Sequence, residues 1–152
     1  MLQNKYDVVV VGGGPAGSMA AWEAAKGGVS VCMLEKDRDI GYPVRCGEAA
    51  GESGLRQFVE IEDSWIAEKI TSVKLVSPNL TSVDIDFAAE TGYILNRRIF
   101  DYDLSRYAAN AGAESNTKAH VKNVLATKGE VNGVVLDYLG AAKQIQAKIV
   151  IG

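Results

Sequence analysis

An α/β fold built on a central parallel sheet is predicted by three observations. Four successive valines, 8–11, lead into Gly12-Gly13-Gly14-Pro15-Ala16-Gly17; an alanine-rich stretch with helical character follows; a second apolar run, 30–34, ends on an acid, Glu35. Strand, turn, helix and strand in that order are how a parallel sheet with a crossover helix begins.

The turn has the G-x-G-x-x-G spacing in the context its physics requires. Gly12 lets the chain swing sharply off the strand, Gly14 lets a diphosphate approach the backbone without meeting a Cβ, and Gly17 lets the helix pack closely. The helix start supplies unpaired N–H groups and the positive end of a dipole, and Pro15 removes a donor that would be unpaired anyway. Ala16, Ala20, Ala21, Ala24 and Ala25 keep the helix slim, and Gly27-Gly28 ends it. Glu35 stands eighteen residues after Gly17, the position of the acid in a Rossmann-like dinucleotide fingerprint. A carboxylate there accepts ribose hydroxyls and repels a 2′-phosphate, which favours FAD or NAD over NADP. The bland reading is a glycine-rich turn with an unrelated surface glutamate.

Beyond Glu35 comes a polar loop, 36–47, then an expected helix over 52–60 and a short second helix around 65–68. Residues 70–76 and 83–87 read as strands separated by the turn Ser77-Pro78-Asn79. This pair has no place in a simple nucleotide-binding unit, so residues 69–94 are assigned to a substrate-facing sheet, and 1–68 with 95–152 to the nucleotide-binding domain. Residues 98–112 repeat an apolar face through Phe100, Leu104, Tyr107, Ala108 and Ala111, with Gly112 closing the helix. Residues 114–117 read as another central strand. Residues 121–127, 131–139 and 144–147 form an expected three-stranded meander, with Gly129 and Gly140 at its turns. Residues 147–152 read as a buried strand that runs to a glycine, where a ligand loop of such folds begins, so a fragment of a longer protein is expected.

Composition narrows the class. With 152 residues and 47% hydrophobic content, the chain can bury one respectable core and is not of disordered composition. A net charge of −3 with interspersed signs gives no electrostatic footprint for nucleic acid. No apolar run reaches membrane-spanning length and no secretory leader precedes the first strand, so a cytoplasmic location is expected. Two cysteines make no disulfide framework: Cys32, inside the second strand, reads as a small buried hydrophobe, and no metal site is expected. His120, the single histidine, reads as a surface or strand residue, and Trp22 and Trp65 as packing residues.

The loop Gly41-Tyr42-Pro43-Val44-Arg45-Cys46-Gly47-Glu48 is the next informative stretch. Its arginine can neutralise a diphosphate and Gly47 permits close approach of a ring or phosphate, although a solvated loop with one arginine reads equally well. Arg97 and Arg98 crowd a helix N-terminus, where each cation costs about 0.3–1 kcal/mol. A nearby anionic ligand would offset that cost; two arginines on a frayed end are the alternative.

Taken together, the glycine turn with Glu35, the run Pro43-Val44-Arg45-Cys46-Gly47-Glu48 and Arg97-Arg98-Ile99-Phe100-Asp101 resemble the geranylgeranyl reductase family of flavoproteins, and within it the archaeal digeranylgeranylglycerophospholipid reductases. The likeness runs through essentially the whole chain, which corresponds to the N-terminal part of such a protein. It implies an FAD-binding domain of the p-hydroxybenzoate hydroxylase type carrying part of a substrate-domain sheet. It also implies extended FAD, with the ribose on Glu35 beside Lys36 and the diphosphate at Gly12, Gly14, Pro15, Ala16 and Gly17. Arg45, Cys46 and Gly47 would lie along the flavin, Arg97 would contact FAD, and the Val121 backbone would face adenine. Cys46 is the one candidate for a role in the chemistry. The implied reaction is reduction of isolated C=C bonds in prenyl chains of lipid precursors, with electrons from reduced nicotinamide, ferredoxin or another donor and peripheral contact with the membrane surface. A flavin monooxygenase or halogenase, an electron-transfer flavoprotein dehydrogenase-like carrier and a remnant without FAD are the alternatives. Two departures stand out: Ala49-Ala50 follows where the family has a glycine, and the Ala-Asp-Gly expected beyond Gly152 is not in the sequence.

Overall fold

The valines of the first run are buried on both sides of a sheet, which is why four apolar residues follow one another instead of alternating with polar ones. In the computed structural model, which describes residues 2–88 and 90–152, strand β1 spans Lys5–Val11 and helix α1 spans Pro15–Lys26. Strand β2 spans Val31–Leu34. Val8 and Val10 pack with Ala21, Ala25, Val31 and Met33 on the helix-covered face, whereas Val9 packs with Cys32, Leu34, Val134 and Ile145 on the other.

The chain divides into two compact units, residues 1–44 with 101–152 and residues 45–100. In the first unit, β8 (Glu114–Asn116), β9 (Ala119–Thr127), β10 (Glu130–Tyr138) and β11 (Ala141–Ile151) join β1 and β2 in a six-stranded sheet of order β8-β2-β1-β11-β10-β9. Neighbours from β8 to β11 run parallel, and β11, β10 and β9 form an antiparallel meander. Asp7 on β1 fastens three segments: its carboxylate accepts from the Ser30 N–H (2.9 Å) and hydroxyl (2.6 Å) and pairs with Lys148 on β11 (2.7 Å). Lys148, then Ser30, hold that carboxyl well below the usual carboxylate range.

Two expectations for this sheet change. The last meander strand and the C-terminal strand are one element, because β11 pairs antiparallel with β10 from Ala141 to Gln146 and parallel with β1 from Gln146 to Ile151. Its C-terminal half is less buried than expected, with Ile149 55% exposed. Residues 114–117 form an edge strand, not a central one, since β8 pairs with β2 at the end of the sheet order.

The second unit holds β3 (Ala49–Gly51), the single helical turn α2 (Glu52–Leu55), β4 (Ile66–Ile70), β5 (Ser72–Val76), β6 (Ser82–Asp86) and β7 (Gly92–Leu95). Strands β3, β7 and β4 make an antiparallel sheet, and β5 with β6 make a separate hairpin. The expected helix over 52–60 stops after one turn: Gly54 weakens it and Phe58 is 69% exposed, so no apolar face is buried to extend it. The expected helix at 65–68 is a 3₁₀ turn, Asp63–Trp65, followed by β4, whose pairing with β7 overrides helical propensity. The strand expected over 70–76 breaks at Thr71 into β4 and β5.

Helix α3, Arg97–Asn110, starts in the second unit and continues in the first. Its expected apolar positions Phe100, Leu104 and Ala108 are buried, and Gly112 at φ +108° ends it with the Ala113 N–H donating to Ala108 O (3.0 Å). Phe100 meets Trp65 edge-on at 5.1 Å, and Trp65 is fully buried. Trp65 is the bulkiest fully buried side chain among the described residues, so Trp65→Ala is expected to destabilise the fold by roughly 3–5 kcal/mol, measured by urea unfolding followed by far-UV circular dichroism.

Candidate functional site

The site begins where the β1–β2 ladder ends. The Gly12 N–H donates to Leu34 O (2.8 Å), and the chain then turns with Gly12 at φ +107°, a conformation L side chains rarely adopt. One residue on, the Gly13 N–H donates to Glu35 Oε2 (2.7 Å), and the Asp37 N–H donates to Oε1 (2.8 Å). The carboxylate is therefore fixed by two charge-assisted bonds and keeps lone pairs on both oxygens for further donors.

Helix α1 starts from Gly14, and no side chain caps it. Its first-turn N–H groups have no intrahelical acceptor and face an anion-favouring dipole end. Beside it lies a cavity of ≈330 Å³ lined by Gly12, Gly14, Pro15, Ala16, Gly17 and Gly152. A Cβ on Gly14 would meet no atom within 4 Å, so its missing side chain leaves open space, whereas a Cβ on Gly17 would stand 2.0 Å from Gly12 O. Gly14 thus keeps a cradle open and Gly17 lets helix and turn touch. A diphosphate fits this set of residues: a bare backbone, a helix N-terminus and, at the end of β2, a carboxylate that accepts hydroxyls.

Several supports of this cradle were invisible in the sequence. The fully buried Ser18 donates its hydroxyl to Gly13 O (3.2 Å), and Ile40 packs against Gly13 so closely that a Cβ there would lie 3.0 Å from its Cγ1. The Glu35 N–H donates to Asn116 O (2.9 Å), the Ala119 N–H donates to Glu35 O (2.8 Å) and the Lys118 N–H donates to Asp37 O (3.0 Å).

The structure brings Gly12, Gly14, Pro15, Ala16, Gly17 and Glu35 into one cradle within the first unit. Lys36 follows on the exposed surface, and Val121 lies two residues past Ala119 on β9, half-buried against the core. Arg45, Cys46 and Gly47 are exposed residues of the second unit, and half-buried Arg97 opens α3 in that same unit. His120 is exposed, with its Nδ1 2.9 Å from Lys122 Nζ. Trp22 packs at 5.3 Å from Tyr107 with the Lys26 ammonium over its ring. Among the described residues no cluster of His, Cys, Asp and Glu could hold a metal ion, and no helix is long and apolar enough to cross a membrane.

The other face of β2 carries a polar chain. The Tyr6 hydroxyl donates to Glu114 Oε2 (2.6 Å), and Asn116 Nδ2 donates to Glu114 Oε1 (3.2 Å) and to Cys32 Sγ (3.7 Å). The Tyr138 hydroxyl donates to Asn116 Oδ1 (3.3 Å). Burial, reinforced by the bond to Glu114, raises the Tyr6 phenol above its ordinary value. Burial likewise pushes the Cys32 thiol up to about 12.

Fold and cradle together define an α/β dinucleotide-binding domain. The chain belongs to the family described as FAD binding domain, which it matches over residues 5–152, and its cofactor is FAD. It is 44% identical to digeranylgeranylglycerophospholipid reductase 1 of Methanococcoides burtonii and 42% identical to the reductase of that name from Methanosarcina acetivorans, each over 99% of this chain and 38% of the relative. A solved geranylgeranyl bacteriochlorophyll reductase-like protein from Thermoplasma acidophilum superposes with a TM-score of 0.86 at 36% identity, over 97% of this chain and 38% of that one. A flavin-dependent brominase at 24% identity and a TM-score of 0.71, over 95% of this chain and 38% of its own, shares the fold. The chain thus spans about 38% of the length of the curated relatives named above.

Three outcomes follow from the geometry. Gly14→Ala is expected to leave the unfolding midpoint nearly unchanged yet weaken FAD binding at least about tenfold by fluorescence titration, because its methyl enters the cradle. Gly17→Ala is expected to lower stability by more than about 2 kcal/mol in the same unfolding assay. Iodoacetamide at pH 8 is expected to modify exposed Cys46 in the folded protein and Cys32 only after denaturation, as read by mass spectrometry.

Proposed function

We propose that this chain is the FAD-holding part of an enzyme that reduces isolated C=C bonds in geranylgeranyl chains of membrane-lipid precursors. The observation that carries this reading is the 44% identity, across 99% of the chain, to a protein named as a digeranylgeranylglycerophospholipid reductase. The cradle supports it, since each of its parts suits one group of an extended dinucleotide.

Bound and reduced, FAD would supply hydride-transfer chemistry for saturating a C=C bond, with the balancing proton taken from water and the two electrons replaced by an external donor. The chain's own residues hold the cofactor. Glu35, already oriented by two backbone N–H groups, accepts the ribose hydroxyls, and Lys36 borders it. The first turn of α1 receives the diphosphate, with Gly12, Gly14, Pro15, Ala16 and Gly17 giving backbone access. The Val121 backbone faces adenine. Arg45, Cys46 and Gly47 line the flavin end, and Arg97 adds a cation for the diphosphate at a helix start that carries no acid in its first turn. A prenyl lipid is the substrate, and the protein meets the membrane surface peripherally to reach it.

The test is an assay of full-length protein with dithionite-reduced FAD and a geranylgeranylated glycerophospholipid. Mass spectrometry is expected to show the lipid gaining hydrogen in pairs, one pair per double bond. Oxygen-dependent hydroxylation or halogenation, or reoxidation by quinone with the lipid unchanged, would overturn the proposal. Glu35→Ala is expected to weaken FAD binding at least about tenfold, the loss of hydrogen bonds to a charged group.

A further inference from the structure

Glu35 lies one residue beyond β2, past the last rung of the β1–β2 ladder at Val11↔Leu34. Its main chain has no strand neighbour on the β1 side. Both of its backbone groups are instead held by one short segment, through Asn116 O and the Ala119 N–H.

That segment rests on β8, an edge strand of three residues. Three ladder rungs hold an edge strand weakly, so side chains must fix it. Glu114 and Asn116 share one face of β8 and are tied into the core by Tyr6, Cys32 and Tyr138. Asn116 is the junction. Its side-chain amide joins Glu114, Cys32 and Tyr138, while its backbone carbonyl holds Glu35. A part-buried polar chain with all members bonded rigidifies its surroundings, and among the described residues no buried side-chain nitrogen or oxygen lacks a partner.

We propose that Asn116 is a positioning residue: the Tyr6–Glu114–Asn116–Tyr138 chain sets the Glu35 main chain, and through it the aim of the carboxylate at the adenosine ribose. This rests on the reading of Glu35 as the ribose ligand. The two carboxylate bonds from Gly13 and Asp37 fix the head of Glu35, and the Asn116 carbonyl fixes its root; both are needed to hold the free lone pairs toward a sugar hydroxyl. With the root loosened, nucleotide still enters the glycine cradle but its ribose is no longer read.

The experiment compares ADP with 2′-deoxy-ADP by isothermal titration of the protein, its Asn116→Leu and Tyr138→Phe variants, and Glu35→Ala. A hydrogen bond to a charged group corresponds to a preference of about tenfold for ADP in the parent protein. Asn116→Leu is expected to bring the ratio of the two affinities close to one, and Tyr138→Phe, which removes a single donor and is the milder change, to reduce it about threefold. General destabilisation would weaken both nucleotides alike and leave the ratio untouched. In a Glu35→Ala background, Asn116→Leu is expected to have no further effect on the ratio. If Glu35→Ala abolishes the preference and neither other variant lowers it, the ribose reading stands and the positioning role is overturned. If Glu35→Ala leaves the preference intact, or the parent protein shows none, the ribose reading itself fails and the positioning role with it.

Discussion

The bond from the Gly13 N–H to Glu35 Oε2, 2.7 Å long, joins the ends of β1 and β2 at the point where both leave the sheet. Everything that makes the site a site depends on that closure. It fixes the carboxylate against the turn, and the turn in turn sets where α1 begins. It also constrains Gly13 itself, which sits so close to the Glu35 Cβ and Ile40 that a methyl there would force these side chains to shift by a few tenths of an ångström. Behind it, Gly17 presses onto Gly12 O so tightly that the helix start and the turn form one backbone object. The glycines therefore act unequally: Gly12 supplies a conformation, Gly13 and Gly17 supply clearance, and Gly14 supplies an opening.

These constraints explain why this part of the chain was legible from sequence. Apart from the packing of Ile40 on Gly13, each is local, acting within the residues from Val8 to Glu35, and each demands a residue type that leaves a visible pattern. The helix α3 was legible for the same reason, since Phe100, Leu104 and Ala108 recur at the helical period and are buried together. The misread elements share the opposite property. Ile66 begins a strand because β7, nearly thirty residues later, offers it a ladder, and the helix at Glu52 stops because no apolar surface awaits Phe58. Strand β11 was divided in two because its antiparallel and parallel partners take over from one another in mid-strand, a change of neighbour that leaves no mark on the residues.

The same distinction runs through the site. Glu35 could be found from its spacing to Gly17, yet the groups that orient it could not. Asn116 is more than eighty residues from Cys32 in sequence, and its contribution to Glu35 is a backbone carbonyl, which any residue possesses. Side-chain identity announces a ligand, whereas positioning is done largely by backbone groups whose identity carries no information. The residues expected at the flavin end, Arg45, Cys46, Gly47 and Arg97, belong to the second unit, and those expected at the adenosine end, Glu35 among them, belong to the first.

That separation bears on specificity. A glycine turn with an acid at the end of β2 accepts the adenosine half of either FAD or NAD, because both ligands present the same diphosphate and ribose. Nothing within the cradle distinguishes them. Discrimination has to come from the other half of the ligand and from residues outside the cradle, so the run from Pro43 to Glu48 carries information that the fingerprint lacks. The adenosine end then has a different task, to hold one half of the cofactor so firmly that the other half can be placed by weaker contacts. A carboxylate held by backbone groups at head and root, the root by the segment that follows the edge strand β8, would suit that task, because rigidity at one end of a long ligand reduces the conformational freedom to be lost at the other.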